Sequence, residues 1–330
     1  MKALVTGATG FVGQALVRRL QAMGAEVIGL GRNRLRLTQL ESQGVRALYT
    51  DLADAQAIHS VCQGQEVVFH VAAFSSPWGR AQDFYRSNVI ATQNVIHACE
   101  EGGVKRLVHV STPGIYFRYE SRLNVREDEP LPGQVVNEYT RTKLLAEGEI
   151  DRAFARGLPV ITIRPRAIFG PGDTSILPHL VDRLEKGRLR VIGDGKNITD
   201  LTYIENVVDA LILCADSPQT TLGEKYNITN GTPVMMWEMI EKLCQALSYE
   251  FPRRSISYNS ALAAATFLEM LYALLPGNPE PPFTRYVVGL LAKSTTLDIS
   301  AARQELGYQP RVSNEEGFAE FVRWWKDTHP

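Results

Sequence analysis

The chain begins Met1-Lys-Ala-Leu-Val-Thr-Gly-Ala-Thr-Gly-Phe-Val-Gly13, and this stretch decides the fold. Residues 3–5 form an apolar run typical of a buried strand, and glycines at positions 7, 10 and 13 follow directly. An amphipathic pattern over residues 11–23 then predicts a helix. A strand that leads through a glycine-rich turn into a helix presents free backbone N–H groups and the positive helix end to a phosphate. The stretch therefore predicts a site for the pyrophosphate of a dinucleotide, with an ordinary glycine turn as the alternative.

Composition places the chain among ordinary globular proteins. Its 330 residues are 45% hydrophobic and 22% charged, enough apolar material for one large domain or two smaller ones. The net charge of −1 gives no field that would attract nucleic acid or an anionic membrane. No stretch is long and apolar enough to span a bilayer, which predicts a cytoplasmic protein without an integral membrane segment. Four scattered cysteines have no metal-ligand spacing, so we expect reduced, buried thiols and no metal: Cys62, Cys99, Cys214 and Cys244.

Strand-like and helix-like segments alternate through the first half of the chain. Such alternation predicts right-handed βαβ units and a parallel sheet covered on both faces. We expect an α/β fold with a doubly wound parallel Rossmann sheet and a smaller C-terminal α+β substrate lobe. Residues 1–165 would form the NAD(P)-binding domain, with short returns near 198–230, and residues 166–330 would form mainly the lobe. Strands are predicted at 3–5, 26–30, 46–50, 66–72, 105–111 and 160–164, and long helices at 81–101 and 138–156.

A second informative motif is Tyr139-Thr-Arg-Thr-Lys143. Residues four apart on a helix share a face, so the phenol and the ammonium would point the same way. A lysine cation beside a tyrosine favours the phenolate and lowers its pKa, which would suit Tyr139 to general acid–base work. The alternative is a chance pair on a solvated helix face.

Seven motifs in order resemble the extended short-chain dehydrogenase/reductase superfamily, whose members include NAD-dependent epimerases and dehydratases. The resemblance implies that Tyr139 is the proton donor and acceptor, that Lys143 binds the nicotinamide ribose, and that Thr112 supplies the catalytic hydroxyl. Donors from Tyr139 and Thr112 would stabilise the charge that develops on a carbonyl oxygen as it receives hydride. The motifs are Thr6–Gly13, Asp51-Leu52, His70–Ala73, Asn88, Val110–Tyr116, Tyr139-x-x-x-Lys143 and Arg164–Asp173.

The same resemblance implies a set of cofactor contacts. Asp51 would meet the adenine amine, and Ala72 and Ala73 would pack under the adenosine and pyrophosphate. His70 is interpreted as a packing residue at a strand end rather than as a catalyst. The expected cofactor-binding residues are Gly7, Thr9, Gly10, Phe11, Val12, Gly13, Arg32, Asp51, Leu52, Ala72, Ala73, Asn88, Tyr139, Lys143, Pro165 and Ile168.

The end of the second predicted strand favours NADP over NAD. NAD enzymes usually place a carboxylate there for the ribose hydroxyls, whereas this chain reads Ile28-Gly-Leu-Gly-Arg32. Arg32, Arg34 and Arg36 follow, and an arginine fork suits a 2′-phosphate. A solvated basic loop is the alternative.

The second half resembles the 3β-hydroxysteroid dehydrogenase branch through Ile192–Ala210, Pro281–Tyr286 and Leu306–Pro310, and Phe74–Gly79 after the fourth predicted strand resembles the same branch. This implies a bulky hydrophobic substrate, steroid-like or 3-oxoacyl-like, that carries a secondary alcohol or ketone. The apolar segment 261–275 could line a lipophilic pocket, form a subunit contact, rest on a membrane or pack in the core. The expected substrate contacts are Ser75, Trp78, Arg166 and Tyr203.

Other functions are alternatives to this one. A nucleotide-sugar epimerase or dehydratase, and a dihydroflavonol-type aldehyde or ketone reductase, would share the Tyr139, Lys143 and Thr112 set. A non-catalytic NADP-sensing protein is disfavoured because such proteins commonly lose the tyrosine or the lysine. The resemblance also implies a homodimer formed through the helices at 81–101 and 138–156.

Overall fold

A computed structural model describes residues 1–252 and 254–329, in which strands and helices alternate as expected. The strands are β1 (Lys2–Thr6), β2 (Glu26–Gly31), β3 (Arg46–Tyr49), β4 (Val67–His70), β5 (Arg106–Val110), β6 (Arg122–Val125), β7 (Val160–Pro165), β8 (Ile168–Phe169), β9 (Val191–Ile192), β10 (Ile198–Thr199), β11 (Thr202–Tyr203), β12 (Lys225–Ile228), β13 (Val234–Met235), β14 (Ser255–Ile256) and β15 (Thr295–Leu297). The α-helices are α1 (Phe11–Ala22), α2 (Arg34–Ser42), α3 (Ala55–Cys62), α4 (Ala81–Phe84), α5 (Ala91–Gly102), α6 (Glu138–Ala155), α7 (Ile176–Glu185), α8 (Ile204–Asp216), α9 (Met236–Leu247), α10 (Tyr258–Ala273), α11 (Arg285–Ala292), α12 (Ser300–Glu305) and α13 (Asn314–Thr328). A π-helical segment, Tyr85–Ile90, joins α4 to α5, and short 3₁₀ turns occupy Pro113–Tyr116 and Gln219–Thr221.

Seven strands form one parallel sheet in the order β12-β7-β5-β4-β1-β2-β3, which confirms the doubly wound Rossmann architecture. The strand order reverses at β1, which lies between β2 and β4. In open sheets of this kind, ligands bind outside the carboxyl ends of the strands at the reversal point. The predicted glycine turn follows β1 directly, so it lies at this point.

Both faces of the sheet are covered, as its parallel strands require. Along β1, Val5 packs into the cluster that includes the apolar faces of α1 and α8, and Leu4 packs into the cluster under α3 and α5. All four cysteines are free and buried, as expected. Because the neighbouring side chains of Leu4 and Val5 enter different buried clusters, β1 has a continuous apolar run and not an alternation of apolar and polar residues.

The chain crosses between the large sheet and the lobe more than once. β12, from the second half, forms an edge of the large sheet, and α8 packs against α1. In the other direction, β6 joins the small mixed sheet β13-β10-β15-β6 and pairs in parallel with β15. These crossings bring lobe residues close to the carboxyl ends of the large-sheet strands. The division near residue 165 stays a prediction.

The apolar segment 261–275 forms most of α10, but it is not a core helix along its whole length. Ala261 and Ala265 are buried, whereas the second half exposes large side chains. Core packing is therefore the wrong interpretation of that half. None of the helices in the described ranges has both the length and the apolar character required to traverse a membrane. The exposed residues are Phe267, Met270, Leu271, Leu274 and Leu275.

Candidate active site

The glycine turn has the geometry of a phosphate cradle. Gly7 has a φ of +70°, and a Cβ at this position would lie 2.8 Å from the Cα of Ala72, after β4. A Cβ at Gly13 would lie 2.1 Å from the carbonyl oxygen of Gly7. Helix α1 begins after Gly10 without a side-chain cap, so its first amides remain available to a ligand. The expected pyrophosphate of a dinucleotide fits this turn because the glycines let the main chain pack tightly and the uncapped amides of α1 are available to an anion.

The three arginines after β2 differ in what they contact. The Arg34 guanidinium lies over the ring of Tyr49, 4.4 Å from its centroid. Arg36 Nη1 donates to the Thr9 carbonyl oxygen at 2.7 Å, which braces the glycine turn, a role the sequence did not indicate. Arg32 is exposed and has no ion pair among residues 1–252 and 254–329. Arg32 is therefore the member of the three best able to meet a phosphate.

Asp51, expected at the adenine, already has a cationic neighbour. Arg86 of the π-helical segment donates to its carboxylate at 2.7 Å. Burial raises the pKa of Asp51, but the Ala53 amide and the Arg86 charge outweigh this and lower the pKa overall. The carboxylate is thus ionised and oriented at the edge of the predicted adenosine site. Arg86 was not identified from the sequence, because its partner is distant along the chain.

Tyr139 and Thr112 lie together where α6 begins. The side chain of Asn137 caps α6 by accepting from the Thr140 amide at 2.9 Å, which fixes the first turn that carries Tyr139. Burial raises the pKa of Tyr139 to about 12, and the Thr112 hydroxyl beside it opposes this rise. The expected lowering of this pKa by Lys143 is therefore wrong for the protein alone, since desolvation of the phenol dominates.

Lys143 is buried one turn further along α6. Its Nζ donates to the Val110 carbonyl oxygen at 2.7 Å and lies 3.3 Å from Nε2 of His109. Burial lowers the pKa of Lys143 to about 8, and the charge of Glu147 opposes this. Burial and the Lys143 charge hold the pKa of His109 well below its usual range, so the neutral ring accepts a hydrogen bond from the ammonium. His109 was not assigned a role from the sequence.

His70 and Asn88 hold the scaffold in place. Both ring nitrogens of His70 are used, with Thr6 and Thr92 hydroxyls each 2.9 Å away, and burial lowers its pKa to about 3. This agrees with a packing role. Asn88 accepts from the Phe74 amide at 2.8 Å and donates to the Thr142 hydroxyl at 3.0 Å, so it ties the loop after β4 to α6.

The other expected residues are distributed around this centre. Tyr203 does not join it, because its ring packs in the core 5.6 Å from Phe169 and its hydroxyl donates to Glu320. Trp78 is half-buried, with an indole N–H that has no partner among the described residues. Leu52 and Pro165 are buried; Thr9, Phe11, Val12, Ala72 and Ile168 are half-buried; Gly10, Ala73 and Ser75 are exposed.

Two residues on the lobe side, Arg166 and Tyr286, lie near the Tyr139 and Thr112 hydroxyls. Arg166, one residue after β7, is only 7% exposed. Tyr286 of α11 packs edge-on against Phe117, and a Cβ added at Gly114 would lie 3.3 Å from the Tyr286 hydroxyl and 3.2 Å from that of Thr112. A cavity of about 330 Å³ is lined by two neighbours of Tyr286, Phe117 and Arg285, together with Arg118, Tyr119, Pro132, Gln134, Val135 and Val136.

Comparison with known proteins agrees with this geometry. Residues 3–229 match the model of the NAD dependent epimerase/dehydratase family. The chain belongs to this family. It is 37% identical to a 2-alkyl-3-oxoalkanoate reductase of Stenotrophomonas maltophilia, over 96% of this chain and 97% of the relative. It is 33% identical to the human sterol-4-alpha-carboxylate 3-dehydrogenase, decarboxylating, over 97% of this chain and 87% of the relative.

Solved structures share the fold over the whole chain. The UDP-glucuronic acid 4-epimerase of Bacillus cereus, in complex with NAD, has a TM-score of 0.78 at 22% identity and covers 100% of both chains. MoeE5 in complex with UDP-glucose and NAD has the same TM-score at 26% identity, again over 100% of both chains. The family and its named relatives confirm an NAD(P)-dependent dehydrogenase/reductase of the extended short-chain type.

Within this family fold, Tyr286 is a further residue near the site that the sequence reasoning missed. It lies in the segment Pro281–Tyr286 that carried the resemblance to the 3β-hydroxysteroid dehydrogenase branch, so a signal was present. Its position depends on α10, where Glu269 accepts from the Arg285 guanidinium at 2.6 Å and from the Arg285 amide at 2.7 Å. The apolar helix therefore orients the residue that precedes Tyr286.

Proposed function

We propose that this enzyme interconverts a secondary alcohol and a ketone on a bulky hydrophobic substrate, with Tyr139 as proton donor and acceptor. The observation that carries the proposal is the meeting of Tyr139 and Thr112 hydroxyls at the start of α6, with the Lys143 ammonium one turn beyond. The relatives whose names include a ketone-forming or ketone-reducing activity support this reaction type. The exposed and half-buried apolar surface of the lobe supports a hydrophobic substrate.

The chemistry of each residue follows from its hydrogen bonds. A bound nicotinamide supplies the hydride in reduction and accepts it in oxidation. Thr112 Oγ1 accepts from the Gly114 amide at 3.1 Å, and its O–H, which lies beside the Tyr139 hydroxyl, can turn to donate to a carbonyl oxygen placed between the two. With a pKa of about 12, Tyr139 is protonated at neutral pH and can deliver its proton to that oxygen. Lys143, held by Val110 and His109 one turn along α6, would bind the ribose of the nicotinamide and so place the ring beside the phenol.

NADP is proposed as the preferred cofactor because Arg32 follows β2 where a carboxylate would favour NAD. A Cβ at Gly31 would lie 2.5 Å from Cγ2 of Thr9, so a side chain that points inward is excluded at the last position of β2. Because Gly31 has no side chain, the first side chain at the end of β2 is that of Arg32. We expect a lower KM for NADPH than for NADH; equal values, or a lower KM for NADH, would contradict this assignment.

A homodimer through α4, α5 and α6 also remains a proposal. The π-helical segment between α4 and α5 exposes Tyr85, and α6 exposes Leu145 and Phe154, each about two-fifths accessible. Such side chains are suited to a subunit contact. Light scattering at micromolar concentration should give the mass of two chains, and a monomer across that range would exclude the contact.

The test of the reaction is a substrate panel with matched variants. Wild type should oxidise hydrophobic secondary alcohols with NADP⁺ and leave UDP-glucose unchanged, and Tyr139→Phe should lower kcat roughly 10²- to 10⁴-fold. The dissociation constant for NADPH should change little. Tyr249→Phe, which loses only a surface hydrogen bond to Glu185, is the control and should retain full activity.

Two outcomes would reject the proposal. Conversion of UDP-glucose without turnover of any hydrophobic alcohol or ketone would favour the nucleotide-sugar epimerase, whose solved relatives share this fold. NADPH binding without turnover of any compound would favour the sensing protein. If Tyr139→Phe kept the wild-type rate on a hydrophobic alcohol, the acid–base role of Tyr139 would be wrong.

A further inference from the structure

Arg166 is a buried cation that the protein leaves almost without partners. It is 7% exposed, its Nε has no hydrogen-bond partner, and its Nη2 reaches only the Thr199 hydroxyl at 3.5 Å. No carboxylate lies within ion-pair distance of it in residues 1–252 and 254–329. A buried charge of this kind is costly unless something pairs with it. Asp200 affects the charge of Arg166 but lies beyond ion-pair distance, and a guanidinium stays protonated, so Arg166 can still pair with an anion from outside the chain.

The surroundings of Arg166 connect it to the reacting centre. Arg166 and Tyr286 are electrostatic neighbours, since each affects the pKa of the other. The hydroxyl of Tyr286 in turn lies at Gly114, beside the hydroxyl of Thr112. The unpaired cation is therefore one side chain away from the position proposed for the substrate carbonyl.

The backbone beside Arg166 is held in an unusual conformation. Ala167 has a φ of +43°, a region that costs a residue with a Cβ about 1 kcal/mol or more. The Arg166 amide donates to the Ile228 carbonyl at 3.0 Å, and the Arg166 carbonyl accepts from the Thr202 hydroxyl. Both anchors fix where the side chain leaves the sheet, so it is oriented before any ligand arrives.

We propose that Arg166, assisted by Tyr286, binds a substrate carboxylate carried on the carbon adjacent to the reacting carbonyl carbon. The inference rests on the proposed alcohol–ketone activity and narrows its substrate to a 3-oxo acid and the matching 3-hydroxy acid. A carboxylate in that place is the anion nearest to a carbonyl at Thr112 and Tyr139. It accepts from two guanidinium nitrogens at once, which satisfies the unpaired Nε.

The relatives give independent support for this placement. A 2-alkyl-3-oxoalkanoate and a sterol-4-carboxylate acted on at carbon 3 both carry the carboxylate on the carbon next to the one that bears oxygen. One skeleton is an open chain and the other is a fused ring, so the shared element is this pair of oxygenated groups. A recognition site for the pair explains how such different hydrocarbons are accepted.

The experiment compares an acid with an alcohol of the same chain that lacks the carboxyl group. The probes are 3-hydroxytetradecanoate and 2-tridecanol, each oxidised with NADP⁺ by wild type, R166M, R166K and Y286F. Loss of a hydrogen-bonded charge should lower kcat/KM for the acid roughly 10- to 100-fold in R166M, with the alcohol within about threefold of wild type. R166K should recover part of the acid activity, and Y286F should lose about two- to tenfold on the acid. Arg188→Gln, at an exposed arginine, is the control and should match wild type on both probes.

Each other result decides against one of the two proposals. Equal losses on acid and alcohol in R166M, or a wild type that prefers the alcohol, would overturn the carboxylate site and leave the proposed activity standing. Turnover of neither probe by wild type would overturn the proposed activity for such chains. In that case a binding measurement tests the carboxylate site. The acid, but not its methyl ester, must raise the melting temperature of wild type with NADP⁺. If R166M does not fold, the same acid-against-ester comparison on wild type and R166K decides.

Discussion

Two arginines at the end of β7 occupy opposite electrostatic environments, although they lie only two positions apart and are equally buried. Arg164 donates from Nε and Nη2 to the Glu147 carboxylate at 2.9 and 2.6 Å, and from Nη1 to the Tyr116 hydroxyl. Arg166 has no such partner among the described residues. Burial alone therefore does not show that a charged residue has a structural role. The paired cation fastens α6 to the sheet, and the unpaired cation is left for a ligand.

The largest expected effect is on stability when the paired cation is removed. Arg164→Met leaves Glu147 buried without a counter-charge, which should lower the free energy of unfolding by about 3–5 kcal/mol. Arg166→Met removes a cation that had no partner, so the change should be within about 1 kcal/mol or stabilising. Urea unfolding of both variants at pH 7 measures the two effects.

A double variant separates pairing from packing. Arg164→Met with Glu147→Met replaces both charges by apolar side chains and should recover much of the lost stability. If Arg164→Met and Arg166→Met were equally destabilising, both arginines would be structural and the contrast between them would fail.

Sequence reasoning could predict the parts of the site that local patterns determine. The glycine turn after β1 and the Tyr139–Lys143 spacing depend on residues within a few turns of each other, so their local geometry follows from short-range rules. The direction of the Tyr139 pKa shift did not follow, since it depends on burial by distant segments. Arg164 and Arg166 were equally basic residues in one motif, and only packing against α6 shows that Glu147 serves the first. Tyr286 comes from α11, far along the chain, so no local pattern could bring it to Arg166.

The next expected effect concerns Asp200, the acid that is electrostatically coupled to Arg166. Burial raises the pKa of Asp200 to about 6, against the Leu297 amide and the Arg166 charge, which lower it. An acid whose pKa is raised on folding binds more protons in the folded state, so its stabilising contribution is present below pH 3.8 and is lost as the pH rises to about 6. Relative to wild type, Asp200→Asn should therefore gain stability between pH 4 and 7, by at most about 3 kcal/mol.

Urea unfolding at several pH values across this range provides the measurement. Asp298→Asn is a useful comparison, because hydrogen bonds from Ser300 lower the pKa of Asp298. Its contribution to stability is lost as the pH falls, so the two variants should have opposite pH trends. Parallel trends would show that Arg166 already neutralises Asp200 as an ordinary ion pair, which would weaken the contrast with Arg164.

The smallest expected effect extends the contrast to the arginines after β2. Arg34 lies over Tyr49 and Arg36 is bound to Thr9, whereas Arg32 has no such partner in the described chain and should serve the 2′-phosphate. Arg32→Ala should raise the KM for NADPH about tenfold, the value of one exposed charge-assisted contact, and leave the KM for NADH unchanged. Arg34→Ala is the matched control and should change the two constants alike. Since an exposed contact is screened by ions, the penalty for NADPH should shrink as salt is raised. A penalty that is independent of salt, or that falls equally on NADH, would assign Arg32 to the fold of the loop rather than to the phosphate.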